Sequence, residues 1–438
     1  MPIELQPAPA RHQFPLGVIG LFVNFVLSAA SSQRCAAGVL ALLEEIWPDA
    51  LPAPCPNAGR LWILRLGLYA LTSPKEKADD WVWIMDHTLQ LGQWKCLVIV
   101  GIRLEHWNAE RGPLRHEDVQ LLNLTPMESA TGESVHEQLL ATAEVTGVPR
   151  AVVSDGGTDL KRGMEMFRAT HDGVAHVYDI KHKTALLIKS EVQADPRWSE
   201  FVTLSNKTKL GITQTALAFL TPPALKTKAR YMNLDILVDW GQKALRYLDD
   251  PREFEDQPVD EEKLDEKLGW LREYRSALNE WSQLLQLAGT AEDYVRKEGY
   301  HRKAKAELRS RLKPLARSQA GRRMSAALLK FVDEQSSQAK EQERLIGSSE
   351  VIESLIGKYK RIQDAHSKGG MTATLLSFGA IVVDKTVDTI RRALESVKTQ
   401  DVYDWVKRKL GITIQAQRKL AFEGTKPAHG TVQKAQLV

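Results

Sequence analysis

The sequence predicts an α/β protein: a helical N-terminal region, a mixed sheet in the next third of the chain, and a long run of helices. Two observations carry this reading. From Asp80 to Tyr178, short apolar runs bounded by turn residues alternate with stretches of helical periodicity. After about Pro196 the strand signals give out, and amphipathic helical patterns continue to about Arg408.

Composition bounds the rest. Over 438 residues, 43% are hydrophobic and 26% charged, values of an ordinary soluble globular chain. A net charge of +4 is too mild to establish nucleic-acid binding, so its distribution matters more. Three separated cysteines, Cys35, Cys55 and Cys96, lack CxxC spacing, which predicts a reducing, cytoplasmic compartment without disulfide framework or zinc site. Pro15–Ala30 is apolar and follows Arg11 and His12, like a short signal peptide. Asn24, Glu4, Gly17 and Gly20 argue instead for a buried first helix, and no membrane association is expected.

In order, Ser31 or Ser32 can cap a helix from Gln33 to Trp47, with Val39, Leu42, Leu43 and Ile46 as its apolar stripe. Pro48 ends it, and a Pro-rich run leads to Asn57, a cap for a helix that Gly67 would close. Two helices with Arg60, Trp62 and Arg65 outside fit a helix-turn-helix DNA reader; the same spacing fits a plain helical hairpin. Strands are expected at Trp81–Asp86, Lys95–Leu104, Asp118–Leu124, Arg150–Ser154 and Val174–Tyr178. Helices are expected at Gly132–Thr146, Thr158–Thr170 and Lys181–Val192. This order of strands and helices is that of the ribonuclease H-like fold.

Beyond it lie an amphipathic helix at Leu234–Leu248, an acidic linker at Asp249–Glu266, and helices over Leu268–Leu287 and Met324–Leu345. Arg296–Arg323 holds eleven Lys or Arg against two Glu. Such a run attracts a phosphate backbone, with Arg302, Lys303 and Arg309 as contacts, or is simply a solvated face. Gly347–Ser349 opens a helix with a stripe of Val351, Ile352, Leu355, Ile356 and Tyr359. From Glu423 the chain reads as disordered. There is no internal repeat, P-loop or GxGxxG.

Three carboxylates stand out: Asp86 at the end of the first strand, Asp155 after the fourth, and Glu353 on the late helix, with Glu350 as its rival. A lone Asp86 would be read as a cap or ion pair. Strands one and four can lie side by side, however, which brings two aspartates to neighbouring strand ends. Such proximity makes sense when cations separate the charges. Oxygen ligands suit magnesium or manganese, and two ions about 4 Å apart can drive an in-line phosphoryl displacement. Thr88 shares the face of Asp86 and can orient water or phosphate. Lys360 or Lys358 can hold a phosphate.

These motifs, WIMDHT at Asp86, VVSDGGTDLKRG at Asp155 and SSEVIESLIGKYK at Glu353, resemble the DDE transposases of bacterial insertion sequences, over about Trp81–Lys360. The resemblance implies a ribonuclease H-like core at 80–195 and 346–410, a helical insertion at 196–345, a DNA-binding region at 1–75 and a tail at 411–438. It also implies magnesium- or manganese-dependent cutting at transposon ends, joining of the 3′ hydroxyl to target DNA, and a homo-oligomer on DNA, associated with the nucleoid. One large group of the family has Tyr and Arg before its glutamate and Lys seven residues after. Lys360 matches, but Ile346 and Ser349 occupy the other positions. Asp179 can be a fourth acid, and Lys181 and Lys183 beside it phosphate contacts. The competing readings are a related nuclease or resolvase without strand transfer, and a non-catalytic DNA-binding derivative.

Overall fold

A computed structural model describes residues 6–47, 51–91, 94–107, 113–224, 234–250, 260–365, 371–411 and 421–422. The tail expected to be disordered from Glu423 lies outside these, as does the pair Gly369–Gly370. The chain forms two units, residues 1–176 with 349–438, and residues 177–348.

The first unit opens with α1 (Leu16–Leu27), α2 (Gln33–Ile46) and α3 (Pro56–Thr72). Strands β1 (Trp81–Leu91), β2 (Trp94–Arg103) and β3 (Gln120–Met127) follow, then α4 (Gly132–Thr146), β4 (Ala151–Ser154), α5 (Thr158–Thr170) and β5 (Ala175–Tyr178). The sheet order is β3-β2-β1-β4-β5. β1 is antiparallel to β2 and parallel to β4, so the sheet is mixed and the fourth strand does return beside the first.

Alternation along β1 explains the packing. Trp81, Trp83 and Met85 join Leu97, Ile99, Val135, Leu139, Leu160, Met164 and Phe167 in one core beneath α4 and α5. Val82 and Ile84 point to the other face and are just as buried. Helices cover both faces, which is why the strand reads as a continuous apolar run rather than an alternating one.

The second unit holds α6 (Ile180–Gln193), α7 (Pro196–Ile212), α8 (Leu234–Asp249), α9 (Glu261–Leu268), α10 (Arg275–Glu298), α11 (Ala304–Leu312) and α12 (Gln319–Ser336). Phe201 sits at the centre of its aromatic core, with ring centroids of Trp198, Trp240, Trp270, Tyr274 and Trp281 at 5.2–6.4 Å. Chain then returns to the first unit as α13 (Glu350–Asp364), α14 (Ser377–Val382), α15 (Val387–Ser396) and α16 (Thr399–Leu410).

Several boundaries differ from the sequence expectation. β1 continues to Leu91, because hairpin pairing with β2 carries it past Asp86, which faces Val98 in mid-strand. β3 starts and ends later, at Gln120 and Met127. Gly67 does not close α3; the helix runs from N-cap Cys55 to Thr72, and Gly67 lies against the Leu376 backbone, where a Cβ would come within 1.7 Å of the Leu376 carbonyl oxygen. The helix expected over Leu268–Leu287 is broken by a 3-10 turn at Gly269–Tyr274, and that over Met324–Leu345 stops at Ser336. The second unit begins at Val177, and α6 packs on α10 and α12 within it. No described helix is long and apolar enough to cross a membrane, and α1 is a buried helix.

Candidate active site

Register places the first two carboxylates. Ile84 pairs with Val153 across β1 and β4. Two residues further along stand Asp86, within β1, and Asp155, one residue past the end of β4; strand alternation directs both to the face opposite the core beneath α4 and α5. Both are half-buried. The His87 amide donates to Asp86 Oδ1 at 2.6 Å, and the Gly157 amide donates to Asp155 Oδ1 at 2.9 Å. Gly156 adopts φ +79°, a left-handed conformation that turns the chain directly after Asp155 and brings the Gly157 amide back to its carboxylate.

On that same face α13 packs against β1. Its stripe is the expected one, Val351, Ile352, Leu355, Ile356 and Tyr359, all buried. Burial first, and then the nearby Cys96 on β2, raise the Tyr359 phenol above its ordinary value. Glu350 and Glu353 stand in the first turn of this helix, both half-buried, so exposure does not separate the two rivals. Ser349 occupies the N-cap position, but without the expected side-chain cap bond. Among the described residues, no group of three or more His, Cys, Asp or Glu side chains converges closely enough to hold a metal ion.

Thr88 follows Asp86 by two residues, where the β1–β2 register shifts; it is 2% exposed, and its hydroxyl has no hydrogen-bond partner among the described residues. An orphaned buried hydroxyl is a polar group in need of a partner. Lys360 is exposed on α13. Lys358 lies near His116, whose ring pairs with Ser354 Oγ at 3.0 Å, and near Lys385. Burial first, and then the Lys358 charge, lower both His116 and Lys385.

A second network went unread in the sequence. His87, on the opposite face from Asp86, meets Asp159 of α5 at 3.1 Å, and Lys95 of β2 donates to the same Asp159 oxygen at 2.7 Å. Burial opposes ionisation of Asp159, but Lys95 and His87 more than offset it and hold the carboxyl below its ordinary value. Burial likewise lowers His87, despite the Asp159 charge. The only local signal was an acid in the first turn of a helix beginning just after Asp155.

Other expected contacts are otherwise engaged. Arg65 is not outside: it donates to the Val397 carbonyl at 2.6 Å and to that of Leu394, and meets His12 at 3.1 Å. These are carbonyls at the C-terminal end of α15, so Arg65 satisfies orphan helix acceptors. Trp62 is buried against Phe14 and Phe22, and Arg60 is half-buried with its guanidinium lowered by desolvation. Asp179, in the second unit, is 2% exposed and caps α6 through the His182 amide at 3.0 Å. Lys183 lies over the Phe331 ring at 5.4 Å, and Lys181 is half-buried. The basic run is partly neutralised: Lys305 pairs with Asp333 at 2.7 Å, Arg323 with Glu191 at 2.6 Å, and Arg296 with Asp293. Arg302, Lys303 and Arg309 remain exposed.

No family model and no curated protein matches the chain. Among solved structures, the Drosophila P element transposase strand transfer complex matches with a TM-score of 0.41 at 12% identity, over 90% of this chain and 94% of that one.

Proposed function

We propose that the chain is a DDE-type DNA transposase with a ribonuclease H-like core, cutting transposon ends and transferring the freed strand to target DNA. The observation that carries this reading is the parallel register of β1 and β4. It sets Asp86 and Asp155 on one sheet face, and α13 packs on that face with Glu353 and Glu350 in its first turn.

Hard carboxylate oxygens are the donor set that suits magnesium or manganese, and Asp86, Asp155 and Glu353, which do not converge on one point in this structure, are the residues that would draw together around such ions. Bound there, divalent cations supply charge stabilisation for an in-line displacement at phosphorus. The protein's own part is positional. The amides of His87 and Gly157 orient the two aspartates, and the Thr88 hydroxyl offers its unused valence to water or a phosphate oxygen. Lys360 and Lys358 stand on α13 to receive a backbone phosphate. Hydrolysis consumes water and leaves a 3′ hydroxyl and a 5′ phosphate. That hydroxyl then attacks a target phosphodiester and expels another 3′ oxygen, with no side-chain nucleophile.

The test is single replacement of Asp86, Asp155, Glu353 and Glu350 by Ala, with metal-dependent cleavage and DNA affinity measured separately. The first three variants lose cleavage by 10³-fold or more on the order expected for catalytic groups, and keep affinity. Full cleavage by Glu353→Ala with loss in Glu350→Ala would transfer the third role to Glu350. Cleavage without joining of the 3′ end would leave a nuclease or resolvase.

A further inference from the structure

The apolar stripe of α2 is not where its sequence pattern leads one to expect it. Gln33, Ala36, Ala37 and Leu40 face inward, and α2 packs on α1 and α3 through that side. Val39 is only half-buried, while Leu42 is 61% exposed, Ile46 63% and the adjoining Trp47 52%. Leu42 and Ile46 are one helical turn apart, and contiguous exposed apolar surface marks an interaction site where singly scattered residues do not.

We infer that this face pairs with the α2 of a second copy of the chain, antiparallel about a two-fold axis. The outward positions Cys35, Val39, Leu42 and Ile46 are spaced four, three and four residues apart, the seam spacing of paired helices. A two-fold axis passing between Leu40 and Ala41 sets Cys35 against the partner's Ile46, and Val39 against the partner's Leu42. Charge favours that direction. Exposed Arg34 stands at one end of the helix and Glu44 and Glu45 at the other, so antiparallel pairing brings opposite charges to each end. Parallel pairing would bring like charges together and align the two helix dipoles unfavourably. Gly38, on the flank of the seam, has nothing within 4 Å of a Cβ built on it, so its own fold does not demand glycine; its smallness lets a second backbone approach. A seam this short belongs to the weak class of interfaces, below about 1,200 Å² in total. This surface is independent of the chemistry assigned to Asp86 and Asp155.

A cross-link reads the geometry directly, because one partner cysteine is native. In the full-length chain with exposed Cys55 replaced by Ser, and buried Cys96 retained, Ile46→Cys should oxidise with Cys35 to a disulfide-linked dimer. That band should disappear when Cys35 is also replaced by Ser, and should form at least tenfold more slowly when Leu42→Glu is added. Circular dichroism checks that each variant is folded. Absence of the Ile46→Cys cross-link, or a cross-link indifferent to Leu42→Glu, would overturn the proposal. So would dimerisation through Cys35 alone, which marks a parallel pair, and an inert Ile46→Cys would mean that something other than a second copy covers the stripe.

Discussion

Ser154, the residue before Asp155, is fully buried and hydrogen-bonded to His176 on β5 at 2.9 Å. Burial, with the nearby charges of Arg168 and Lys161, pushes His176 down to about 4 from 6.5. The unfolded chain takes up this proton near pH 6.5, whereas the native one resists until about 4. Its contribution to stability is therefore complete above the higher value and lost as pH falls toward the lower. Urea unfolding should show a drop of about 2 kcal/mol between about pH 7 and pH 5 from this group, absent in His176→Asn. An equal drop in the variant would remove His176 as the cause. At this scale, the sequence marks Asp86 and Asp155 because a carboxylate in an apolar run is costly to bury and so demands a reason, and the β1–β4 register brings their strands side by side. The His87–Asp159–Lys95 network could not, since its members are 64 and 72 positions apart and only the folded sheet makes them neighbours. Arg65 failed for the same reason: its partners are carbonyls some 330 residues later.

Elements were most legible where local chemistry sets their ends. α4 is bounded by Thr131, whose hydroxyl accepts from the Ser134 amide at 3.3 Å, and by Gly147 at φ +87°. α5 likewise spans the predicted Thr158–Thr170. They were least legible where packing overrides the local signal. Gly67 reads as a stop, yet it lies within α3 because α3 and α14 cross there in close backbone contact, with Gly379 opposite. Gly67→Ala should accordingly destabilise the first unit by about 2–4 kcal/mol, seen as a lowered melting temperature. Gly289→Ala in α10, where a Cβ meets nothing, should raise stability by roughly 0.5–1 kcal/mol. Comparable melting temperatures for the wild type and Gly67→Ala would show that the close crossing is not needed. The stripe of α2 is the converse case. The expected stripe at Val39, Leu42 and Ile46 faces outward, and Gln33, Ala36, Ala37 and Leu40 face the core instead, because periodicity reports that a face is apolar and not what covers it.

At the scale of the whole molecule, the chain leaves the first unit at β5 and returns to it at α13, with seven described helices of the second unit between. The sequence pattern marks where strands stop and where the amphipathic helix at Glu350 begins, but not that α6 already belongs to the helical unit. The second unit carries exposed Arg302, Lys303 and Arg309, beside cations of the same run that are paired internally. Replacing those three by Gln should lower the slope of log affinity against log salt by up to about 3, as phosphate contacts are lost. An unchanged slope in a filter-binding or fluorescence titration would make the run a solvated surface.

The proposed chemistry requires Asp86 and Asp155 to act together as ligands on one sheet face. Manganese binding by the full-length chain in the presence of duplex DNA, followed by the paramagnetic signal of the free ion, tests this most directly. Saturable binding in the wild type, weakened at least tenfold in both Asp86→Ala and Asp155→Ala while their circular dichroism is unchanged, is the predicted result. Binding as tight in either folded variant as in the wild type would contradict it.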